Sequence, residues 1–362
     1  MAYTTIDKPT DYFNTVLYAG DNTTSNAITG LGHQPDWLWI RNRGATADFQ
    51  TADSVRGKSG SLFLQLRTNT TDTEVVQSDN DGVHSFDSDG FTVGYTNSTA
   101  WNNTGNNYVA WSWKAGGSAS SNSNGDITTS ISANTTAGFS IVSYTGNASS
   151  SQTVGHGLGA VPHMIISKNR DNTSSNYNDW IVYHHKNATA NDKKLKLNTN
   201  DAVSTTNEWG DTDPTSTVYS VHSSGDGATN DGTDKIVSYV FTGIQGYSKF
   251  GTYEGNGNAN GTFVYTGFRP DWVMVKSTSG SQSWTIIDNV REPYNEMGEK
   301  CLFPNEDTAE FDPANINFDC LSNGFKLRNT DGKINTSGHN YIFAAFAEAP
   351  FVNSNGIPNN AR

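Results

Sequence analysis

One phrase is written three times in this chain. It stands first as 29-TGLGHQPDWLWIRNR-43, then as 155-GHGLGAVPHMIISKNR-170, then as 265-YTGFRPDWVMVKST-278. Internal repetition constrains a fold more than composition does, because each copy must build an equivalent piece of structure. Pro35, Pro162 and Pro270 anchor the copies, with Gly32, Gly159 and Gly267 three residues before and Arg41, Lys168 and Lys276 six residues after. Tyr18, Tyr144 and Tyr253 end an upstream apolar run 17, 18 and 17 residues before the anchor. Phe49, Trp180 and Trp284 open a downstream run, followed four residues on by Asp53, His184 and Asp288. Alternating aromatic runs, 108-YVAWSW-113, 236-IVSYVF-241 and 341-YIFAAF-346, close the copies. The first and third also share 88-SDGFTVG-94 and 322-SNGFKLR-328; the second has 223-SSGDGATND-231 in that slot, without the Phe.

The spacing predicts strands. Gly permits a tight turn, and Pro is confined to the start of a strand because it donates nothing to a ladder. Side chains then alternate faces: Trp37 and Trp39 on one, Leu38 and Ile40 on the other. Both faces are apolar, so the strand after each Pro is a central one covered on two sides. Ile40, Ile166 and Val275 are expected in equivalent places, and the basic residue at the sixth position is expected where the strand returns to water. Turn clusters interrupt the chain every 8–12 residues, and no 3.6-residue period persists. The fold class expected is all-β with little helix: three tandem lectin-like or jelly-roll β-sandwich modules. Their bounds are 11–117, 136–246 and 247–352, with a Gly/Ser/Asn-rich linker at 118–135 and a tail at 353–362.

A formal net charge of −13 opposes nucleic acid and anionic membrane surfaces as partners. No 18-residue apolar run exists to span a bilayer, and the N-terminal residues carry no secretory signal pattern. Cys301 and Cys320 are the two cysteines and read as ordinary buried thiols.

Motifs for catalysis are missing: no G-x-S-x-G, H-E-x-x-H, phosphate-binding loop or C-x-x-C occurs. Glu306 and Glu310 in 306-EDTAEFD-312 are the nearest carboxylate pair and read as a solvated acidic loop rather than a glycosidase dyad. His184 and His185 point to opposite faces of a strand, a poor chelate, and read as a surface pair. Asp79, Asp81, Asp87 and Asp89 lie close together and are a weak Ca²⁺ candidate. Trp101 and Trp209 stand among Asn, Thr and Asp, which leaves three readings open: sugar stacking, a subunit interface, or packing on their own sandwich. No cofactor is expected.

One resemblance adds to this. Tyr144-Thr145-Gly146-Asn147, Gly155 to Pro162, Lys168-Asn169-Arg170, Gly90-Phe91 and Tyr108-Val109-Ala110 form an order similar to modules in virion structural proteins of marine tailed phages, of the cyanophage and pelagiphage kind. The resemblance implies a non-enzymatic virion protein, assembled in a bacterial cytoplasm, with other virion proteins and copies of itself as partners. A tail-associated fibre or appendage is the first expectation, with contact to a host-surface polysaccharide. The alternatives are a capsid decoration protein and a lectin-like carbohydrate binder. Repetition suits either an elongated projection or a subunit touching several equivalent neighbours.

Overall fold

The computed structural model describes residues 3–76, 80–95, 98–171, 178–223, 229–295, 297–298, 300–311 and 316–359. The fold is all-β, with no α-helix among the described residues and two short 3₁₀ turns, Pro9–Asp11 and Ala190–Asp192. No described helix is long and apolar enough to cross a membrane.

One strand order recurs three times. Phe13–Ala19, Asn107–Trp113, Trp37–Asn42 and Gln50–Asp53 lie side by side in the first sheet. Phe139–Thr145, Lys235–Phe241, Met164–Asn169 and Ile181–His184 repeat that order, as do Ser248–Glu254, Asn340–Pro350, Phe268–Ser277 and Thr285–Asp288. All these pairings are antiparallel, so hairpins and returns suffice to connect them. The glycine turn before each Pro is real: Gly32, Gly159 and Gly267 have φ of 79°, 69° and 89°, where a side chain would be strained. Pro270 sits at a register shift of its strand, where its missing N–H costs no ladder bond.

A smaller sheet covers each large one. Asn26–Thr29, Gly90–Gly94 and Gly82–Asp87 cover the first; Phe263–Tyr265, Gly324–Leu327 and Phe318–Leu321 cover the third. Over the second, Gln152–Gly155 pairs with Val218–Val221. The hairpin strand the second copy was expected to lack is therefore present in other residues. Tyr219 pairs with Val154 as Phe91 pairs with Ile28 and Phe325 with Val264. Between each pair of layers is a core: Leu38, Ile40 and Phe91 in the first, Val142, Ile165 and Tyr219 in the second, Val273, Val275 and Phe325 in the third.

The other face of every large sheet turns inward to one shared core. Trp37, Trp39 and Trp113 meet Met164, Ile166 and Phe241, and Trp272, Met274 and Phe346 there. Trp113, Phe241 and Phe346 hold equivalent register positions opposite Trp37, Met164 and Trp272. Their rings close a triangle, with centroids 6.5 Å (Trp113–Phe241), 5.7 Å (Trp113–Phe346) and 6.1 Å (Phe241–Phe346) apart. The three sheets thus surround one pseudo-threefold axis, where an elongated string would have left that face to solvent. All six residues of Trp37–Asn42 are buried, as the two apolar faces require. Ile166 is one position out of step with Ile40 and Val275: it faces the shared core, and Ser167 takes the sandwich place, bonded to Ser238 at 2.7 Å.

Two segments differ from their sequence reading. Residues 118–135, expected as a linker, hold the strands Ser120–Asn122 and Thr129–Asn134, which extend the second sheet beside Phe139–Thr145. Ile127 and Ile131 supply a buried side among serines and threonines, enough to pin a strand. At the other end, the 353–359 stretch folds back through a Val352–Pro358 bridge and meets the N-terminal arm, where Ser354 N–H donates to Asp7 Oδ1 at 2.7 Å. Ile6 of that arm enters the shared core, and Tyr3 O–H donates to Gly267 O at 2.6 Å. The first residues therefore pack on the last repeat and close the ring.

A buried asparagine recurs that the sequence reading missed. Asn102, Asn230 and Asn335 are each 0% exposed and accept from the N–H of Asp21, Asn147 and Asn256 at 3.1, 2.9 and 2.9 Å. Beside them the repeated tyrosines, Tyr18, Tyr144 and Tyr253, donate to the carbonyls of Trp101, Thr229 and Ile334. Asn335 also donates to Asn258 O and Asn329 O at 2.9 and 2.6 Å. Asn335→Ala orphans buried backbone groups and is expected to cost about 2–3 kcal/mol, read as a shift in urea midpoint at constant slope.

Candidate functional site

The sites read from sequence lie elsewhere than expected. Trp101 is 0% exposed inside the first sandwich and Trp209 is 1% exposed inside the second. Trp209 Nε1 donates to Lys193 O at 3.0 Å and its ring meets Tyr183 edge-on at 5.7 Å. Neither ring offers a face to a pyranose; of the three readings, packing on their own sandwich is what the coordinates show. Polar neighbours in sequence misled because these residues belong to loops that tuck one large ring under the sheet.

Asp79 lies outside the described residues. The other three carboxylates of the Ca²⁺ candidate are hydrogen-bonded within the first repeat: Asp89 accepts from the N–H of Gly30 and Gly32, Asp87 from Thr92 Oγ1, and Asp81 from Ser98 N–H. No group of three potential metal ligands occurs among the described residues. Cys301 and Cys320 are free and buried, with thiols pushed well above their ordinary range by burial.

Polar chemistry concentrates at the three seams between repeats. The basic residues at the sixth position do not return to water: Arg41, Lys168 and Lys276 are each 0% exposed. Each reaches a carbonyl of its own repeat and one of the next repeat around the ring. Arg41 donates to Ala47 O and, across the seam, to Asp307 O at 2.7 Å. Lys168 donates to Asn178 O and Thr71 O, the second at 3.2 Å across the seam. Lys276 donates to Gln282 O at 2.6 Å and across the seam to Asn200 O at 3.1 Å. Burial draws their proton affinities down, to about 10 for Arg41, about 7 for Lys168 and about 8 for Lys276.

Two seams also carry matched ion networks. Where the first and second repeats meet, Asp53 binds Arg56, Arg56 binds Glu74 at 3.1 Å, and Glu74 binds Arg170 at 2.6 Å. Tyr239 of the second repeat donates to Asp53 Oδ2 at 2.8 Å. Where the third and first meet, Asp288 binds Arg291 at 2.6 Å, Arg291 binds Glu310 at 2.9 Å, and Glu310 binds Arg43 at 2.7 Å. Trp111 of the first repeat donates to Asp288 Oδ2 at 3.0 Å. Glu310 is thus a seam residue, not the solvated loop residue expected, while Glu306 accepts from Ser283 Oγ nearby.

The remaining seam, between the second and third repeats, is neutral at the same four positions. His184 and Asn187 stand for Asp and Arg, and Val203 and Thr278 for Glu and Arg. The backbone bond shared by all seams fixes this equivalence: Glu74 N–H to Arg170 O, Glu310 N–H to Arg43 O, and Val203 N–H to Thr278 O. His184, expected at the surface, is 0% exposed, with Nε2 3.3 Å from Phe343 O. His185 stacks on His163 at 4.1 Å, and its Nε2 lies 3.0 Å from Phe250 O. Burial lowers all three imidazoles, His163 to about 4 and His184 to about 3; the neighbouring His185 adds to the shift of those two, and the Lys186 charge adds to all three. Folded, they stay neutral at pH values where the unfolded chain, near 6.5, already binds protons. Their stability contribution is therefore complete above about pH 6.5 and is lost as pH falls toward 3–4. His184 alone is expected to remove ~2–3 kcal/mol by pH 4.5. Urea midpoints between pH 4.5 and 7 check this, with a shallower slope expected in His184→Asn.

A family model described as a domain of unknown function, DUF7483, matches residues 8–350, so the matched unit takes in all three repeats. No curated protein matches the chain.

Proposed function

The chain belongs to the DUF7483 family, whose model matches residues 8–350, and we propose that it is a non-enzymatic structural protein of a tailed-phage particle. In this reading it consists of three lectin-like or jelly-roll sandwiches fused into one pseudo-trimer, mounted as part of a tail-associated fibre or appendage. One observation supports the reading: charged and aromatic groups join repeat to repeat, as Glu74 with Arg170, Glu310 with Arg43, Tyr239 with Asp53, Trp111 with Asp288 and the Trp113 triangle do. Chemistry committed to rigidity and symmetry suits an assembly part. A chain that imitates a trimer fits on a threefold axis, with other virion proteins as its neighbours; that same feature favours a capsid decoration protein as the second reading.

A particle reconstruction tests the proposal. Density for the ring on or beside a threefold tail element supports the first reading, and density over capsid threefold positions supports the second. Failure to co-purify with particles ends both. Incubation with bacterial surface polysaccharide is expected to give no turnover, and Glu306→Gln and Glu310→Gln to change nothing in that assay.

A further inference from the structure

We propose that the cleft between the first repeat and the 118–135 segment binds a short oligosaccharide carrying a carboxylate, such as a uronic acid unit. This goes beyond the particle reading and does not depend on it. The cleft holds 690 Å³, within the ~300–1,000 Å³ of small-molecule sites. One wall is apolar: Phe63 and Phe86 stack at 4.1 Å, and Lys58 Nζ sits 4.8 Å from the Phe63 ring centre. The rim is hydroxyl- and amide-bearing, with Gln34, Ser85, Ser118 and Thr135. C–H faces of a sugar suit the wall, and its hydroxyls suit the rim.

Charge selects the sugar class. The lining has one carboxylate, Asp36, and it is already satisfied by Ser54 Oγ at 2.9 Å and by the N–H of Ala115 and Gly117 at 2.8 and 3.3 Å. Lys58 and Lys114 form no ion pair among the described residues; Lys58 Nζ donates to His84 O at 2.5 Å and the Lys114 charge favours the Asp36 carboxylate, so the two lysines against one carboxylate leave the lining with one net positive charge. The chain's net charge of −13 repels a long polyanion, which favours a short segment with one acid group.

The fold supplies two internal comparisons. A cleft of 650 Å³ occupies the pseudo-symmetric place in the third repeat, where Arg269 stands for Gln34 and Cys320 for Phe86. There the guanidinium is paired with Glu348 at 2.5 Å, leaving no free positive charge. In the second repeat His163 and His185, stacked at 4.1 Å, stand for Asp36 and Ser54, and no lysine stands for Lys58 or Lys114 beside them. The acidic-sugar assignment therefore belongs to the first cleft alone.

Calorimetric titration of the full chain tests it, with trigalacturonate as the acidic probe, maltotriose as the neutral one, and acetate and phosphate as bare anions. Trigalacturonate is expected to bind at sub-millimolar concentration, about tenfold tighter than maltotriose or either anion. Lys114→Gln is expected to weaken it about tenfold with an unchanged melting curve, and Thr135→Trp, at the exposed rim, to block it. Should Thr135→Trp misfold, Ser118→Trp fills the opposite rim and replaces it. No binding of trigalacturonate overturns the proposal, as does binding that all of these variants retain. Equal affinity for maltotriose overturns the acidic class, and equal affinity for phosphate overturns the sugar.

Discussion

Replacing Trp113 with alanine is expected to lower the unfolding free energy of the entire chain by about 4 kcal/mol. The indole is 1% exposed and packs against rings of all three repeats. It lies 4.4 Å from the Trp37 ring, 5.0 Å from Phe13, 5.8 Å from Trp272 and 5.7 Å from Phe346. Deleting it leaves a void that three sheets line and none can fill alone. Because the shared core joins all three, unfolding should be one cooperative transition, and Trp113→Ala should move it as a whole. Tryptophan fluorescence and far-UV circular dichroism in urea must then coincide in both proteins. Two or three separate transitions, with only one displaced by the substitution, would refute a common core. The corollary concerns fragments. Residues 136–246 alone expose Ile141, Met164, Ile166, Tyr239 and Phe241, the face the ring covers. Sedimentation of that fragment is expected to show aggregates or oligomers and no folded monomer.

Much of this was legible in the repeats. The anchor Pro, its glycine and the apolar tetrad after it located the middle strand of every sheet, because a two-sided burial pattern has few solutions. What covered the inward side was not legible. Period-two alternation says that Trp37 and Trp39 are buried; it does not say whether a private layer or a neighbouring repeat buries them. The basic residues show the same gap. Arg41, Lys168 and Lys276 end an apolar run, and solvent is the ordinary destination for such charge; only the closed ring supplies carbonyls from a second repeat. Tyr219 was findable: it precedes Ile236 by the same 17 residues that separate Phe91 from Tyr108. The S-x-G turn that precedes Phe91 and Phe325 is missing before Tyr219, so the aromatic stands there without its marker. The acidic-sugar cleft could not have been read, since its walls come from residues near 36, 60, 86, 115 and 134 that only the fold assembles.

The charge networks give the second large effect. Asp288→Ala strips Arg291 of its closest counter-charge while the guanidinium remains 2% exposed, and Trp111 Nε1 loses its acceptor. Breaking a buried pair from one side is expected to cost about 3–5 kcal/mol. The molecule also contains the control. Its neutral seam, with His184, Asn187, Val203 and Thr278, shows that the four positions can be occupied without ions. Copying that set onto the seam between the third and first repeats, as Asp288→His, Arg291→Asn, Glu310→Val and Arg43→Thr together, removes all four charges of that network at once. The fourfold variant is expected to be at least as stable as Asp288→Ala, because no buried ion is left uncompensated. Chemical denaturation of the parent, the single and the fourfold variants measures the difference. If the fourfold variant is much the weakest, the networks contribute net stability that a neutral seam cannot match, and the equivalence of the three seams is geometric without being energetic.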